Sequence, residues 1–186
     1  MPHPAASPRT LAPALAALAA LAACAGGNEI APCPGVEVGT FRLAGTRTSA
    51  ACQGGTGPAG GFDGLFAPSI PTFTATIAYG SQGASAALCL PKAEASPYLG
   101  TRTPAPGGEA IAVELETSGA VLAACAGTCA VTVHHAVTGL VARDPVSGAV
   151  TGFTGELVET AASTPAADCT PCSAPCTASW ALTPAP

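Results

Sequence analysis

The chain has 186 residues, of which only 9% are charged, with a formal net charge of -5 and nine cysteines. Proteins that bind nucleic acid neutralise phosphates with Lys and Arg, and the six such residues of this acidic chain exclude that class. After residue 23 no apolar run reaches the roughly 18 residues that a membrane-spanning helix needs, so the sequence predicts a soluble body framed by cysteines.

The amino terminus has the pattern of a signal peptide. Arg9 precedes a 13-residue apolar stretch, Leu11 to Ala23, which is broken only by Pro13. The stretch is too short to cross a bilayer, but it has the size of a signal core and ends in small residues that a signal peptidase accepts. Residues 1–23 are therefore predicted to be removed and do not belong to the fold.

The four residues at the end of this stretch, Leu21-Ala22-Ala23-Cys24, resemble the lipobox of bacterial lipoproteins. The resemblance implies that a diacylglyceryl group alkylates the thiol of Cys24, which then becomes the first residue of the mature chain. Serine would not serve, because its hydroxyl is a far weaker nucleophile near neutral pH. Ala25 in the second position, instead of Asp, implies export to an outer membrane where the cell has one. A plain secretory signal is the alternative.

The odd number of cysteines supports lipidation. Once Cys24 is acylated, an even set remains that can close four disulfides: Cys33, Cys52, Cys89, Cys125, Cys129, Cys169, Cys172 and Cys176. Short loops favour the pairs Cys33 with Cys52 and Cys125 with Cys129. The spacings in 125–129 and 169–176 also suit zinc, but an exported chain favours disulfides, and neither a metal nor another cofactor is predicted.

From residue 36 onward, apolar residues recur at every second position, which predicts β-strands. Two segments alternate in this way, and their apolar faces are formed by Phe73, Ala75, Ile77 and Tyr79 and by Ile111, Val113 and Leu115. Further strands are predicted at 36–48, 85–90 and 177–183. Residues 53–71 and 91–108 are predicted as loops because they are rich in Gly and Pro.

A long hairpin is predicted between residues 128 and 160. Its turn is Asp144-Pro145-Val146-Ser147-Gly148, and the apolar face of its first arm is formed by Val131, Val133, His135, Val137 and Val141. Gly139, Gly152 and Gly155 permit the arms to bend, as a barrel requires. The sequence thus predicts an all-β antiparallel domain over 36–186, a small barrel or sandwich of about seven strands stapled by disulfides, behind a lipidated tether at 24–35.

Two groups of titratable residues are candidates for chemistry. His134 and His135 are adjacent on a strand and point to opposite faces, so they cannot converge on one metal ion; one is expected to be half-buried and the other exposed. Glu114 and Glu116 share a strand face at a separation of about 7 Å, which suits paired-carboxylate chemistry or loose calcium binding as well as a solvated surface. No catalytic motif accompanies them.

These observations predict a lipid-anchored structural or binding module of a bacterial cell envelope, held at the outer membrane by lipid on Cys24 and without a catalytic role. The composition is also similar to that of cysteine-rich lipoproteins of GC-rich bacteria, a resemblance that implies no activity and no particular protein partner. One alternative is a barrel that carries a small apolar ligand in a cavity. Another is a secreted hydrolase that uses Glu114 or Glu116 with His135, which requires these side chains to meet.

Overall fold

The computed structural model of the protein describes residues 33–50, 69–81, 83–91, 96–121, 129–165, 167, 169 and 175–186. Within these ranges no helix is long and apolar enough to span a membrane. The described residues form eight strands: β1 (Val36–Ala50), β2 (Ser69–Tyr79), β3 (Ser85–Cys89), β4 (Tyr98–Ala105), β5 (Gly108–Val121), β6 (Ala130–Arg143), β7 (Val150–Ser163) and β8 (Cys176–Pro184).

The eight strands form one closed antiparallel barrel. Each strand pairs with its neighbours in chain order, and β8 returns to pair with β1, for example Leu182 opposite Gly45. This arrangement confirms the predicted all-β antiparallel domain, as a barrel and not a sandwich. Closure matters physically because it leaves no free strand along the two sides where the sheet would otherwise end.

The strand that the sequence prediction missed is β4, which lies inside the segment 91–108 that was predicted as a loop. Pro104 is one of the prolines on which that loop prediction rests. In the barrel β3 begins at Ser85, opposite Thr101, so beyond that point β4 pairs only with β5 among the described strands. A proline is tolerated at such an edge because no β3 partner needs its missing N–H group. The other loop prediction was also too long, since β2 begins at Ser69.

Large apolar side chains fill the middle of the barrel. Strand β6 alternates buried and less buried residues from Val131 to Val137, as its sequence predicts. Opposite strands contribute Leu43, Ile77, Phe153 and Trp180, each exposed by 1% or less. Trp180 and the two tyrosines, Tyr79 and Tyr98, are all buried and pack in the barrel interior.

The turn of the predicted β6–β7 hairpin forms as its residues indicate. The carboxylate Oδ1 of Asp144 accepts hydrogen bonds from the backbone N–H groups of Ser147 at 2.7 Å and Val146 at 3.0 Å. These bonds, led by the one from Ser147, lower the pKa of Asp144. Gly148 closes the turn with a φ of 70°, in the left-handed region that favours glycine.

The two ends of the barrel differ in the length of their connections. At one end, which we call the hairpin end, the strands are joined by residues 80–84, 106–107 and 144–149. At the other, the loop end, the connections span 51–68, 90–97, 122–129 and 164–175. Long connections above a rigid strand scaffold are where binding residues concentrate in proteins.

The described disulfides correct both predicted pairs. Cys33 bonds to Cys89 and not to Cys52, and Cys129 bonds to Cys169 and not to Cys125. Both bonds join cysteines that are distant in sequence, by 56 and 40 residues, because strand pairing brings them together. Cys176 is also disulfide-bonded. Cys24, Cys52, Cys125 and Cys172 lie outside the described residues.

Candidate functional site

The two adjacent histidines lie on opposite faces of β6, as predicted. The side chain of His134 is 44% exposed on the outer face, where its Nε2 lies 3.3 Å from Oε2 of Glu114. The side chain of His135 is only 3% exposed and points into the barrel, so it is more deeply buried than the sequence suggested. The two rings therefore belong to different environments.

The structure does not bring together the groups of the hydrolase alternative. Glu114 and Glu116 are exposed on the outer face of β5, while Leu115 between them faces inward and is paired with His135. The sheet itself separates both carboxylates from the His135 ring. The shared strand face of Glu114 and Glu116 is thus a solvated surface with an exposed histidine beside it.

Inside the barrel, His135 contacts three side chains that the sequence analysis did not connect with it. Its Nδ1 lies 2.8 Å from Oε1 of Glu159, a carboxylate on β7 that is 2% exposed. Its Nε2 lies 3.0 Å from the hydroxyl Oγ1 of Thr117 on β5. The ring of Tyr98 on β4 meets the imidazole edge to face, with the ring centroids 6.1 Å apart. We call Tyr98, Thr117, His135 and Glu159 the inner cluster.

Strand register positions the inner cluster. His135 is directly opposite Glu159 in the β6–β7 ladder, and Thr117 is opposite Val133, one inward-facing position away, in the β5–β6 ladder. Such neighbours on one face of a sheet lie within hydrogen-bonding reach. All four residues lie in the half of the barrel nearer the loop end, and Tyr98 is the first residue of β4.

The hydrogen bonds of the inner cluster use both nitrogens of His135. An ionised carboxylate only accepts, so Nδ1–H donates to Glu159. In the singly protonated ring Nε2 then accepts the proton of the Thr117 hydroxyl. This order of hydroxyl, imidazole and carboxylate leaves neither ring nitrogen free to hold a metal ion. Burial raises the pKa of Tyr98 to about 12, and the negative charge of Glu159 adds to the rise.

One atom of the inner cluster remains without a partner. Oε2 of Glu159 is a buried oxygen that accepts no hydrogen bond in the described part of the chain, although Oε1 of the same carboxylate is bonded. A buried acceptor left unsatisfied costs about 1–3 kcal/mol, and more when it is charged. In proteins, such an atom commonly accepts from another donor, such as ordered water.

Beside the inner cluster, the described ladders of β3 and β4 end before those of β2 and β5. Strand β3 meets β2 only at residues 76–79, and β4 meets β5 only up to Glu114. Residues 69–75 of β2 and 115–121 of β5 therefore have no described strand partner on the sides that face each other. Phe73, Leu115 and Thr117 face inward beside this interval but are only partly buried, whereas Ile77 and Val113 further down are fully buried.

A second polar cluster lies at the hairpin end and is fully paired. Glu109 accepts from Arg143 at 2.7 Å and from Arg102 at 3.1 Å, and the Tyr79 hydroxyl donates to it at 3.3 Å. Partial burial acts to raise the pKa of Glu109, but the hydrogen bond and charge of Arg143 outweigh it and hold that pKa below its ordinary value. An open surface pocket of about 250 Å³ lies beside Arg102 and Glu109. Because its charged groups are paired with one another, we interpret this cluster as one that stabilises the hairpin end of the barrel.

Comparison with known proteins adds no information about the site. Neither the family models, nor the curated proteins, nor the solved structures contain a match to this chain. Within the described ranges, no group of three or more His, Cys, Asp or Glu side chains is placed to hold a metal ion. The predicted lipidation residue, Cys24, lies outside those ranges.

Sequence reasoning missed Glu159 and Thr117, although a signal for Glu159 is present. On β7 it occupies the alternating positions of Phe153, Leu157 and Ala161, so it is a charged residue on an apolar face. Counting back from the turn would have placed Val158 opposite His135, because a register shift between Ala142 and Arg143 moves the pairing by one residue. Thr117 has no comparable signal, because threonine is common on both faces of strands.

Proposed function

We propose that this protein is a lipid-anchored binding module of a bacterial cell envelope, exported, acylated on Cys24 and without a catalytic role. The observation that carries the proposal is the pair of described disulfides, Cys33–Cys89 and Cys129–Cys169, which join distant parts of the chain. Such bonds form and persist in oxidising compartments outside the cytoplasm. They support the export that the lipobox-like Leu21-Ala22-Ala23-Cys24 implies.

The difference between the two ends of the barrel supports a binding role. The hairpin end has short connections and a fully paired ion cluster, which suits a structural task. The loop end has the four longer connections, and below it lies the inner cluster with the unpartnered oxygen of Glu159. We assign binding to the loop end for this reason.

Neither alternative gains support from the described contacts. A carrier of small apolar ligands requires an apolar cavity, but Trp180, Phe153, Leu43 and Ile77 occupy the middle of the barrel. A hydrolase built on Glu114 or Glu116 with His135 requires a cleft that the sheet does not provide. The role of a binding module remains the function that the geometry supports best.

Intact mass spectrometry of the protein extracted from bacterial membranes tests the proposal. We expect loss of residues 1–23, the added mass of acyl groups, and eight fewer hydrogens than the reduced chain. Acyl chains stabilise membrane association by roughly 0.8 kcal/mol per buried methylene, so the protein should fractionate with membranes.

Two variants sharpen this test. Cys24→Ser should move the protein to the soluble fraction, because serine is not acylated, while Ala25→Ser keeps the reacting thiol and should stay with membranes. A wild-type protein that retains residues 1–23, carries no acyl group and has reactive thiols would overturn the proposal.

A further inference from the structure

The chain doubles back on the outside of the barrel just before β1. Val36, the first residue of β1, lies at the hairpin end. Cys33 nevertheless bonds to Cys89, the last residue of β3, at the end of that strand away from the hairpin end. Its Sγ lies 3.7 Å from the carbonyl oxygen of Thr76 on β2. Residues 33–35 therefore run back along the outer wall of β2 and β3, and we call them the strap.

Gly35 makes this reversal possible. Its φ is 116°, and a Cβ there would lie 2.5 Å from the carbonyl oxygen of Tyr79, so its backbone packs directly on the end of β2. Residues with a side chain rarely adopt such a φ. The strap then passes Ala78, which alternates outward on β2. Ala78 has no exposed surface although it lies outside the core cluster, as expected of a residue that the strap covers.

The two described disulfides lie in different environments. Cys129 is fully buried within the core cluster, and Cys169 packs against that cluster. Cys33 and Cys89 are both partly exposed, and neither packs in the core cluster. A thiolate must reach a sulfur atom to attack it, so exposed disulfides exchange readily and buried ones resist. A reductant should therefore open Cys33–Cys89 first.

Opening this bond does not interrupt the barrel. Cys33 precedes the first paired residue of β1, and Cys89 remains paired with Thr76 at the end of the β2–β3 ladder. Closure of the barrel depends on the pairing of β1 with β8, which involves residues 43–50 of β1 and not the strap. Loss of the bond should therefore lower the stability of the fold and leave every strand ladder in place.

We propose that Cys33–Cys89 is a redox latch that holds the strap against the outer wall of β2 and β3. A dithiol reductant opens it in two exchange steps. One thiolate of the reductant attacks a sulfur of the latch, and the other cysteine leaves as a thiolate. The second thiol of the reductant then displaces the remaining cysteine. Two electrons pass to the protein, the reductant becomes a disulfide, and its two protons end on the thiols of Cys33 and Cys89.

Opening the latch changes where the chain leaves the barrel. With the bond closed, the chain in front of Cys33 is attached to the outer wall, whereas with the bond open the first fixed residue is Val36 at the hairpin end. In a protein anchored through Cys24, a consequence that rests on the proposed function, the tether gains three residues, about 10 Å of extended chain. The hairpin end can then turn toward the membrane and the loop end away from it.

Partial reduction of the full-length protein tests the latch. In dithiothreitol without denaturant, alkylation and peptide mapping should show Cys33 and Cys89 modified at least about tenfold faster than Cys129 and Cys169. The β-sheet circular dichroism spectrum should be retained. Amide hydrogen exchange should become faster in residues 33–36 and stay unchanged in the β6–β7 hairpin. Removal of the reductant and addition of oxidised glutathione should restore slow exchange.

Three results would overturn the proposal. One is reduction of Cys129–Cys169 at the same rate as Cys33–Cys89 or faster. Another is loss of the β-sheet spectrum when Cys33–Cys89 opens, because the bond would then hold the barrel itself together. The third is unchanged hydrogen exchange in the strap after reduction, because the strap would then stay in place without its bond.

Matched glycine variants test how the strap closes. In defined mixtures of reduced and oxidised glutathione, Gly35→Ala should shift the equilibrium toward the open form by about tenfold, because the closed strap needs the positive φ and the close approach to Tyr79. Gly83→Ala is the control. Gly83 also has a positive φ, 72°, at the hairpin end, but a Cβ there meets nothing within 4 Å. Equal equilibria for the two variants would refute the role of Gly35.

A double variant and the state of the lipid anchor complete the test. Replacing Cys33 and Cys89 together by serine should give fast exchange in residues 33–36 without any reductant, and slow exchange there would refute the latch. Selective opening of Cys33–Cys89 in a protein that carries no acyl group would refute the membrane anchor and leave the latch standing. An acylated protein whose Cys33–Cys89 bond resists the reductant would refute the latch and leave the anchor standing.

Discussion

Both tyrosines of the chain lie inside the barrel, one near each end, and each lies beside a carboxylate. Burial raises the pKa of Tyr79 to about 12, with further rises from the charge and hydrogen bond of Glu109 that Arg143 and Arg102 partly offset. Burial also raises the pKa of Tyr98 to about 12, together with the charge of Glu159. The phenol groups thus report on the two polar clusters independently.

Spectrophotometric titration of tyrosine should reveal this environment. In the folded protein we expect tyrosinate absorbance to rise only as the pH approaches 12, whereas the urea-unfolded chain should titrate near the ordinary value of about 10. Since the folded pKa values lie above the unfolded ones, the protonated tyrosines contribute stability that is complete below pH 10 and is lost as the pH rises through 12.

The Tyr98→Phe variant assigns each ionisation step to one tyrosine, because it leaves Tyr79 as the single tyrosine. A tyrosine of the folded protein that ionises near pH 10 would contradict the burial of that ring, which is the larger cause of its raised pKa. The Glu159→Gln substitution should lower the pKa of Tyr98 and leave that of Tyr79 unchanged, as measured by the same titration.

At the scale of elements, the β6–β7 hairpin is shaped by two glycines that face each other. Gly139 and Gly155 are paired across the ladder, and the ring of Phe153 lies over both. A Cβ on Gly139 would lie 2.5 Å from Cζ of Phe153 and 2.5 Å from the carbonyl oxygen of Thr154. Phe153 in turn contacts Phe41 of β1, with ring centroids 6.1 Å apart, so these glycines make room for a contact across the core.

Gly139→Ala should therefore destabilise the barrel by about 1–3 kcal/mol, the usual cost of overpacking a buried site. Urea unfolding followed by Trp180 fluorescence measures the change. Gly152→Ala is the matched control in the same hairpin, because a Cβ there meets nothing within 4 Å. Equal unfolding midpoints for the two variants would contradict this account of the hairpin.

On the scale of the whole molecule, disulfides tie together parts of the barrel that the strand ladders join only indirectly. Cys129–Cys169 links the connection before β6 to the connection before β8, next to the loop end, and Cys129 is fully buried. Cys33–Cys89 links the segment before β1 to the end of β3. A bond across a long loop stabilises mainly by restricting the unfolded chain.

Replacing Cys129 and Cys169 together by alanine should lower the free energy of unfolding by about 4 kcal/mol, from the entropy of closing a loop of this length. The double replacement of Cys33 and Cys89 should have a similar effect, because its loop is only slightly longer. Urea unfolding of both variants beside the wild type measures the difference. An unchanged midpoint for either variant would show that its bond adds nothing to the stability of the fold.

The inner cluster shows how far local reasoning reaches toward a site. The alternation of β6 predicts that His135 faces the core, and the turn at 144–148 predicts β7 as the neighbouring strand. A register shift between Ala142 and Arg143 then decides that Glu159 lies opposite His135. The identity of the second hydrogen-bond partner does not follow from the hairpin, because Thr117 arrives from β5 through a separate ladder. That Oε2 of Glu159 lacks a partner is decided by every neighbour at once.

The sequence by itself determined the strand class, most strand positions, the β6–β7 turn and the inward face of His135, because alternation and turn chemistry act over a few residues. Only the tertiary structure decided closure by β1 and β8, the disulfide partners of the described cysteines, and the formation of β4 within a segment rich in proline. Each of these depends on which distant segments meet. Cys33 lies closer in sequence to Cys52 than to Cys89, yet strand pairing and not sequence distance selects its partner.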